Sequence, residues 1–406
     1  MAQVSILLDQ ASDEADQAPD ASPISGLEIE LLWSLQEATA YWHQLENKAA
    51  QSAYSSSAWV IPWLEKIAPS EGAVRGLFLI GRLDGQPAFL LPIALHHTWG
   101  QTVACWMGEC YNNQNTGTWS SALIGTDRSI NLLPRIEAAL RAAGVDIICL
   151  RNMPEELDGR PFPLWRQHMA RSTNPIFPFK LERDFQRFYA ARRSKAARKK
   201  LTAKRRKLEA SGTLAIGAEQ TAQGHQEAVQ ATIDQRWVRQ KKTGVPTAFR
   251  SSCHERYLHE VFALECRDNH RRAYEPVVHT LRLDGEIIAT VLGLILGGRY
   301  YCYCTSIRMD AHLALSPGDH LMHAVIEDMC NRGLQVFDMG LGEERFKKAW
   351  AEPVYLCDWI TPLTPGGALI ASYWDLKLAV KRHLRKSPGF WRTYKKMRGF
   401  FRRMGL

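Results

Sequence analysis

The sequence predicts an α/β protein of mixed sheets, built from two tandem copies of one unit and followed by a basic C-terminal helix. Three observations carry that prediction. The tetrapeptide Arg82-Leu-Asp-Gly85 recurs as Arg282-Leu-Asp-Gly285, each time ahead of an apolar run. The stretch 138–150, a helical pattern ending at Gly144 and followed by an apolar strand, recurs in outline at 326–339. Between these landmarks both halves keep one order: strand, Asp-Gly turn, strand, further strand, helix ending in glycine, strand.

The elements follow in chain order. Residues 1–26 are rich in Asp, Ala, Ser and Gln and read as a disordered acidic tail. The first unit spans 27–175. It opens with helical patterns over Leu31–Leu45 and Ala58–Ile67. Val74–Ile80 and Pro87–Leu95 form a hairpin about Asp84-Gly85, two residue types that tolerate positive φ. A helix over Ile130–Ala143 stops at Gly144, and Val145–Leu150 is a buried strand. Five prolines between Pro154 and Pro178 mark a linker. The second unit spans 176–365. It starts with a basic helix over Arg183–Gly212, whose apolar stripe is Ala190, Ala197, Leu201 and Leu208. Residues 366–406 form the basic tail, where Phe390, Tyr394, Met397, Phe401 and Met404 share one helical face.

Charge is concentrated in two places. The chain has 406 residues, 23% charged and 46% hydrophobic, with a formal net charge of +9. That composition excludes disordered, collagen-like and coiled-coil classes. Arg183–Lys207 holds twelve Lys/Arg and one acid, and Lys377–Arg403 holds eleven Lys/Arg and none, so the remainder is acidic. Two local surfaces therefore attract anions, whether phosphate, lipid headgroup or nucleic acid. No aromatic residue interrupts 190–207, which argues against base stacking on that stretch. Nine cysteines with no Cys-x-x-Cys pair, no visible secretory signal and no apolar run of membrane-spanning length give an expected cytoplasmic location.

Two segments of the second unit carry chemistry. After the strand 300–307, Ser316 suits an N-cap, Pro317 the first helical position, and Asp319 closes a Ser-x-x-Asp capping box. The same helix start could hold a phosphate through its backbone amides. After the next strand, Asp338-Met-Gly-Leu-Gly-Glu-Glu-Arg-Phe-Lys347 places Gly340 and Gly342 just past the strand end, where Asp338, Glu343 and Lys347 can converge. Metal chemistry is not expected. His254 and His259 are five apart and do not share a helix face, and Cys302 and Cys304 have no second ligand pair.

Arg198-Lys-Lys-Leu201 through Leu208-Glu-Ala-Ser-Gly212, the 283–289 strand, Ser316-Pro-Gly318 and the 338–347 run occur in one order. Together they resemble the double-domain GNAT-type acyltransferases of the CelD-like group, associated with cellulose and exopolysaccharide biosynthesis and distantly related to Fem-type aminoacyl transferases. The resemblance covers about residues 27–365 and is specific in the second copy. It implies two GNAT-like domains in tandem, acyl-CoA as a co-substrate with no permanently bound cofactor, and a splayed strand at 300–307 that grips pantetheine. The usual pyrophosphate loop is missing before the 318–333 helix. Phe346 stands where the group shows Tyr, and Lys200 where it shows Asn.

Chemistry then assigns roles. An alkyl amine is mostly protonated at pH 7, so attack on a thioester needs a general base. Asp338 and Glu343 are the candidates, with Tyr303 as the acid that returns a proton to the leaving thiolate. Ser316, Gly318, Arg198 and Lys347 are the candidate cofactor-binding residues. The expected acceptor is an amine or hydroxyl of an envelope glycan or lipid precursor, reached from an anionic membrane surface that 377–404 engages. Two alternatives stand beside this. One is Fem-like transfer from charged tRNA, the only nucleic-acid partner expected; the other is a non-catalytic degenerate pair that scaffolds polysaccharide assembly.

Overall fold

The computed structural model describes residues 26–386 apart from 47, 73, 125–131, 245–246, 248, 250 and 266–271. The expected acidic tail and the aromatic face at 390–404 lie outside the described residues. The first half contains β1 (Leu27–Leu32), α1 (Leu35–Glu46), α2 (Ser57–Lys66), β2 (Arg75–Leu83), β3 (Gln86–Thr98), β4 (Gln101–Trp106), α3 (Leu132–Ala142) and β5 (Ile147–Met153). The second contains α4 (Lys195–Glu209), β6 (Leu214–Ala218), α5 (Ala222–Thr243), α6 (Ser252–Val261), β7 (Glu275–Leu283), β8 (Glu286–Leu296), β9 (Arg299–Ile307), α7 (Pro317–Asn331) and β10 (Val336–Asp338). β11 (Cys357–Pro362) and α8 (Pro365–Lys386) follow.

The duplication is visible in the pairing. β1 to β5 lie in sequence order, antiparallel except for the parallel pair β4/β5. β6 to β10 repeat that order, again with one parallel pair, β9/β10. Both Asp-Gly turns are left-handed at both positions, with φ of 50° and 74° at Asp84-Gly85 and 51° and 83° at Asp284-Gly285. Each hairpin carries a register shift at the same point, next to Arg82 and next to Arg282. Such matched irregularities mark one ancestral hairpin geometry used twice.

One strand crosses from the second unit to the sheet of the first. Pro178–Lys180, which follows the first half, pairs antiparallel with β10 of the second sheet. β11, which follows the second half, pairs antiparallel with β5 of the first. The second sheet is therefore completed by its own unit, whereas the first takes β11 from the second unit and ends in Ala170–Arg171 paired on the outer side of β11. An apolar cluster shared by both halves, with Tyr54, Trp59, Phe78, Val229, Phe262 and Tyr301, fills the space between them.

Some elements differ from the sequence reading. The expected helix over Leu31–Leu45 begins only at Leu35, because Leu27, Ile29 and Leu31 alternate and pack β1 against the first core. The expected basic helix over 183–212 is two helices, Phe185–Arg192 and α4. Ser194 caps the second, its Oγ accepting from Ala197 N at 3.2 Å. Among the described residues no helix is long and apolar enough to cross a membrane.

Candidate active site

The site is built where the parallel pair of the second sheet opens. β9 and β10 stay in register only from Arg299↔Val336 to Tyr301↔Asp338. Beyond that point β10 turns away, because Gly340 takes φ 76° and Met339 N bonds to Phe177 O at 3.1 Å instead. A Cβ on Gly340 would sit 2.5 Å from the Cys302 carbonyl oxygen, so only glycine lets the turn pass so close to β9. On its other side β9 pairs with β8 through a bulge. Leu292 faces Cys304 and Gly293 faces Cys302, which leaves Tyr303 as the extra residue. A bulge re-aims a side chain, and Tyr303 lies among Tyr54, Trp59 and Phe262, with centroids 5.0 to 6.1 Å away. Burial pushes its hydroxyl pKa well above the usual 10, so it is protonated at neutral pH.

The expected carboxylates are in different situations. Asp338 is 1% exposed. Its Oδ1 accepts from Gly340 N at 2.9 Å, while Oδ2 accepts from Gln114 Nε2 and from Arg299 at 3.1 Å. Glu343 points outward and pairs with Lys348 at 2.5 Å. Lys347 is buried, and its ammonium donates to the Gly340 and Leu341 carbonyls at 3.1 and 2.9 Å. Burial lowers its pKa, countered by Glu344. Asp338 and Lys347 thus tie down the two ends of the 338–347 turn, and Glu343 faces solvent from its middle.

Ser316 and Gly318 stand at the N-terminus of α7, and Arg198 lies on α4, the helix whose Lys204 reaches Ser316. Ser316 is left-handed, φ 58°, and does not cap with its side chain; its Oγ accepts from Lys204 Nζ at 2.7 Å. The expected capping box is not formed, because that backbone conformation takes Ser316 Oγ away from the helix amides. Gly318 allows α7 to close on β9, since a Cβ there would be 2.5 Å from Ile307 Cδ1. Arg198, on α4, is half-buried, and its Nε makes no hydrogen bond. Burial and the charge of Arg205 on α4 depress the titration of His320 and His323, the latter to about 4. Both rings stay neutral at pH 7, beside Lys204 and Arg205. The helix start thus has no side-chain cap from Ser316 and stands beside Lys204, with Asp319 in its own first turn.

The sequence reading missed the contribution of the first half. Asn113 donates to the Cys302 carbonyl at 3.1 Å and to Tyr54 Oη at 2.9 Å, and Gln114 holds Asp338. The signal was present as Asn112-Asn-Gln-Asn115, a polar run in which Asn112, Gln114 and Asn115 are buried. Buried amides need partners, and here Gln114, with the half-buried Asn113 beside it, finds its partner across the interface between halves.

Residues 195–348 match the family model described as "Acetyltransferase (GNAT) domain". The matched stretch, within the second half, is a GNAT-type acetyltransferase domain. The strands of this GNAT domain, β6 to β10, all fall inside the matched stretch or end within it. The whole chain is similar in fold to the crystal structure of FemX, with a TM-score of 0.53 at 9% identity, over 84% of this chain and 100% of that one. Two other solved structures are similar at lower scores. They are the C-terminal domain of a lysylphosphatidylglycerol synthetase-like protein from Agrobacterium fabrum (TM-score 0.46, 13% identity, 82% of this chain and 95% of that one) and a tandem GNAT protein from the clavulanic acid biosynthesis pathway (TM-score 0.43, 13% identity, 84% and 99%). No curated protein matches the sequence. Among the described residues no group of three His, Cys, Asp or Glu is placed to hold a metal ion.

Proposed function

We propose that the GNAT domain moves an acyl group from a CoA thioester to an amine, or a hydroxyl, of an envelope glycan or lipid precursor, as the resemblance to the CelD-like group implies. The observation that carries this reading is the cationic helix start of α7 at the far end of the opened strand β9. In this reading the CoA phosphates sit against Lys204, Arg205 and Arg198 at Ser316–Gly318. The pantetheine arm runs along β9, where β10 has turned away, and the thioester meets the bulge at Tyr303. Tyr303, held protonated by burial, gives its proton to the departing thiolate in this reading. Glu343 is the carboxylate of the turn with room to accept a proton from the acceptor. Asp338, its oxygens engaged by three donors, acts as a positioning residue together with Lys347.

The exterior supports a membrane-side location. Trp99, Leu369, Tyr373 and Leu376 are exposed, and the Trp99 and Tyr373 rings meet at 4.9 Å. The sequence continues from there into Lys377–Arg403, eleven cations with no acid. Aromatic residues beside a dense positive segment suit the inner, anionic face of a membrane.

Calorimetric titration with acetyl-CoA and longer acyl-CoA species tests the donor site. The wild-type chain should bind at least one, and Lys204→Ala with Arg205→Ala should weaken binding about tenfold, the size expected of one lost charge-assisted phosphate contact. Failure of every CoA species to bind would remove this reading. The Fem-like alternative has its own support in α4, which exposes Lys195, Lys199, Lys200, Arg206 and Lys207. Salt-sensitive binding of tRNA in place of acyl-CoA would favour it.

A further inference from the structure

We propose that a cavity of about 710 Å³ in the first half is an acceptor pocket for a primary alkyl amine, whose ammonium group docks on Glu109 and Asp358. The proposal rests on the reading that acyl transfer ends on an amine, and it names where that amine is held.

The cavity occupies the opening of the first sheet's own parallel pair. β4 and β5 are joined only at Val103↔Ile147 and Ala104↔Ile148, and they diverge beyond. Cys105, Trp106 and Glu109 come from one side of the gap, Cys149 and Arg151 from the other, and Asp358 from the crossing strand β11. The volume suits a ligand of small-molecule size.

Three features make this a built polar site. Glu109 is 9% exposed. One carboxylate oxygen pairs with Arg151, and the other, Oε2, is buried and has no hydrogen-bond partner. A buried acceptor in that state costs free energy until a donor reaches it. Asp358 is equally buried, and its Oδ1 accepts from Ser172 Oγ and from Asn152 N at 2.9 Å. Asn152 holds φ 58° to make that bond, a conformation a non-glycine residue adopts at some cost. Burial, added to by Asp358, raises the Glu109 carboxyl pKa to about 6 despite Arg151.

These features select a cation that is also a hydrogen-bond donor. The pocket holds two buried carboxylates against one guanidinium, which is paired with Glu109. An anionic group would meet Glu109 and Asp358 with no free cation to offset them. Trp63, Trp106 and Trp374 give the walls their apolar part, suited to the carbon skeleton behind an ammonium group, and the unpartnered Nε1 donors of Trp63 and Trp106 call for an acceptor on that skeleton. The pocket also adjoins the GNAT site. Leu341 of the 338–347 turn lines it, as does Asn112, whose neighbour Asn113 bonds the Cys302 carbonyl.

Titration of the full chain with n-butylamine, n-butanol and butyrate, without any CoA species, tests the pocket. Butylamine should bind at least tenfold more tightly than the other two. Glu109→Gln and, separately, Asp358→Asn should each weaken amine binding at least tenfold in protein that still unfolds cooperatively. Equal affinity for amine and alcohol, or amine binding unaffected in the folded variants, would overturn the proposal. Amine binding in a protein that binds no CoA would remove the donor reading and leave this pocket standing.

Discussion

Asp338 shows how much a single side chain can be asked to hold. Its carboxylate joins the GNAT turn, the start of β9 and the loop of the first half. Asp338→Ala should cost about 3 kcal/mol in chemical denaturation, because Arg299 and Gln114 are left without their acceptor. Asp338→Asn should cost less, since an amide oxygen still serves Gly340 N. Glu343→Ala should leave the midpoint unchanged, its pair with Lys348 being exposed on both sides. The residue was legible in sequence as a polar group past a strand end. Its bond to Gln114 was not, because that partner is 224 positions away and no local pattern encodes such a pairing. The same limit hid Glu109, whose significance lies in an oxygen that nothing meets.

At the scale of elements, periodicity and turn chemistry carried the reading well. The Asp-Gly hairpins, the helix ended by Gly144 and the helix started by Pro317 stand where the residues place them. β1 was hidden because its alternation is only six residues long and adjoins a helix. The bulge at Tyr303 was illegible, since it depends on the register between β8 and β9 and not on either strand alone. That bulge makes a discriminating pair of substitutions. Tyr303→Ala should lose about 3 kcal/mol of stability, the low end for deletion of a core aromatic, because the ring is only partly buried. Tyr303→Phe should keep the aromatic packing and the CoA affinity while lowering kcat, measured as thiol release. A Phe variant with full kcat would assign the ring to packing alone.

At the scale of the whole molecule, the two halves share a core, and the first sheet takes β11 from the second unit. Duplication was legible from repeated order. The crossing of β11 was not, because which sheet a lone strand joins is decided by long-range geometry. The outer surface supplies the third prediction. Trp99→Ala combined with Tyr373→Ala should reduce co-sedimentation with phosphatidylglycerol vesicles several-fold at fixed salt, while phosphatidylcholine vesicles bind neither form. Binding to both vesicle types alike would argue against a role for the basic tail.

The crossing strand also sets a timetable for synthesis. β5 is made about 200 residues before β11, the strand that covers its edge. At roughly 5–20 residues per second, the ribosome leaves that edge unpaired for on the order of 10–40 s. During that interval the nascent chain offers a bare apolar ribbon to any neighbour able to pair with it. Yield in the cell should therefore depend on chaperone capacity more than the stability of the finished fold suggests.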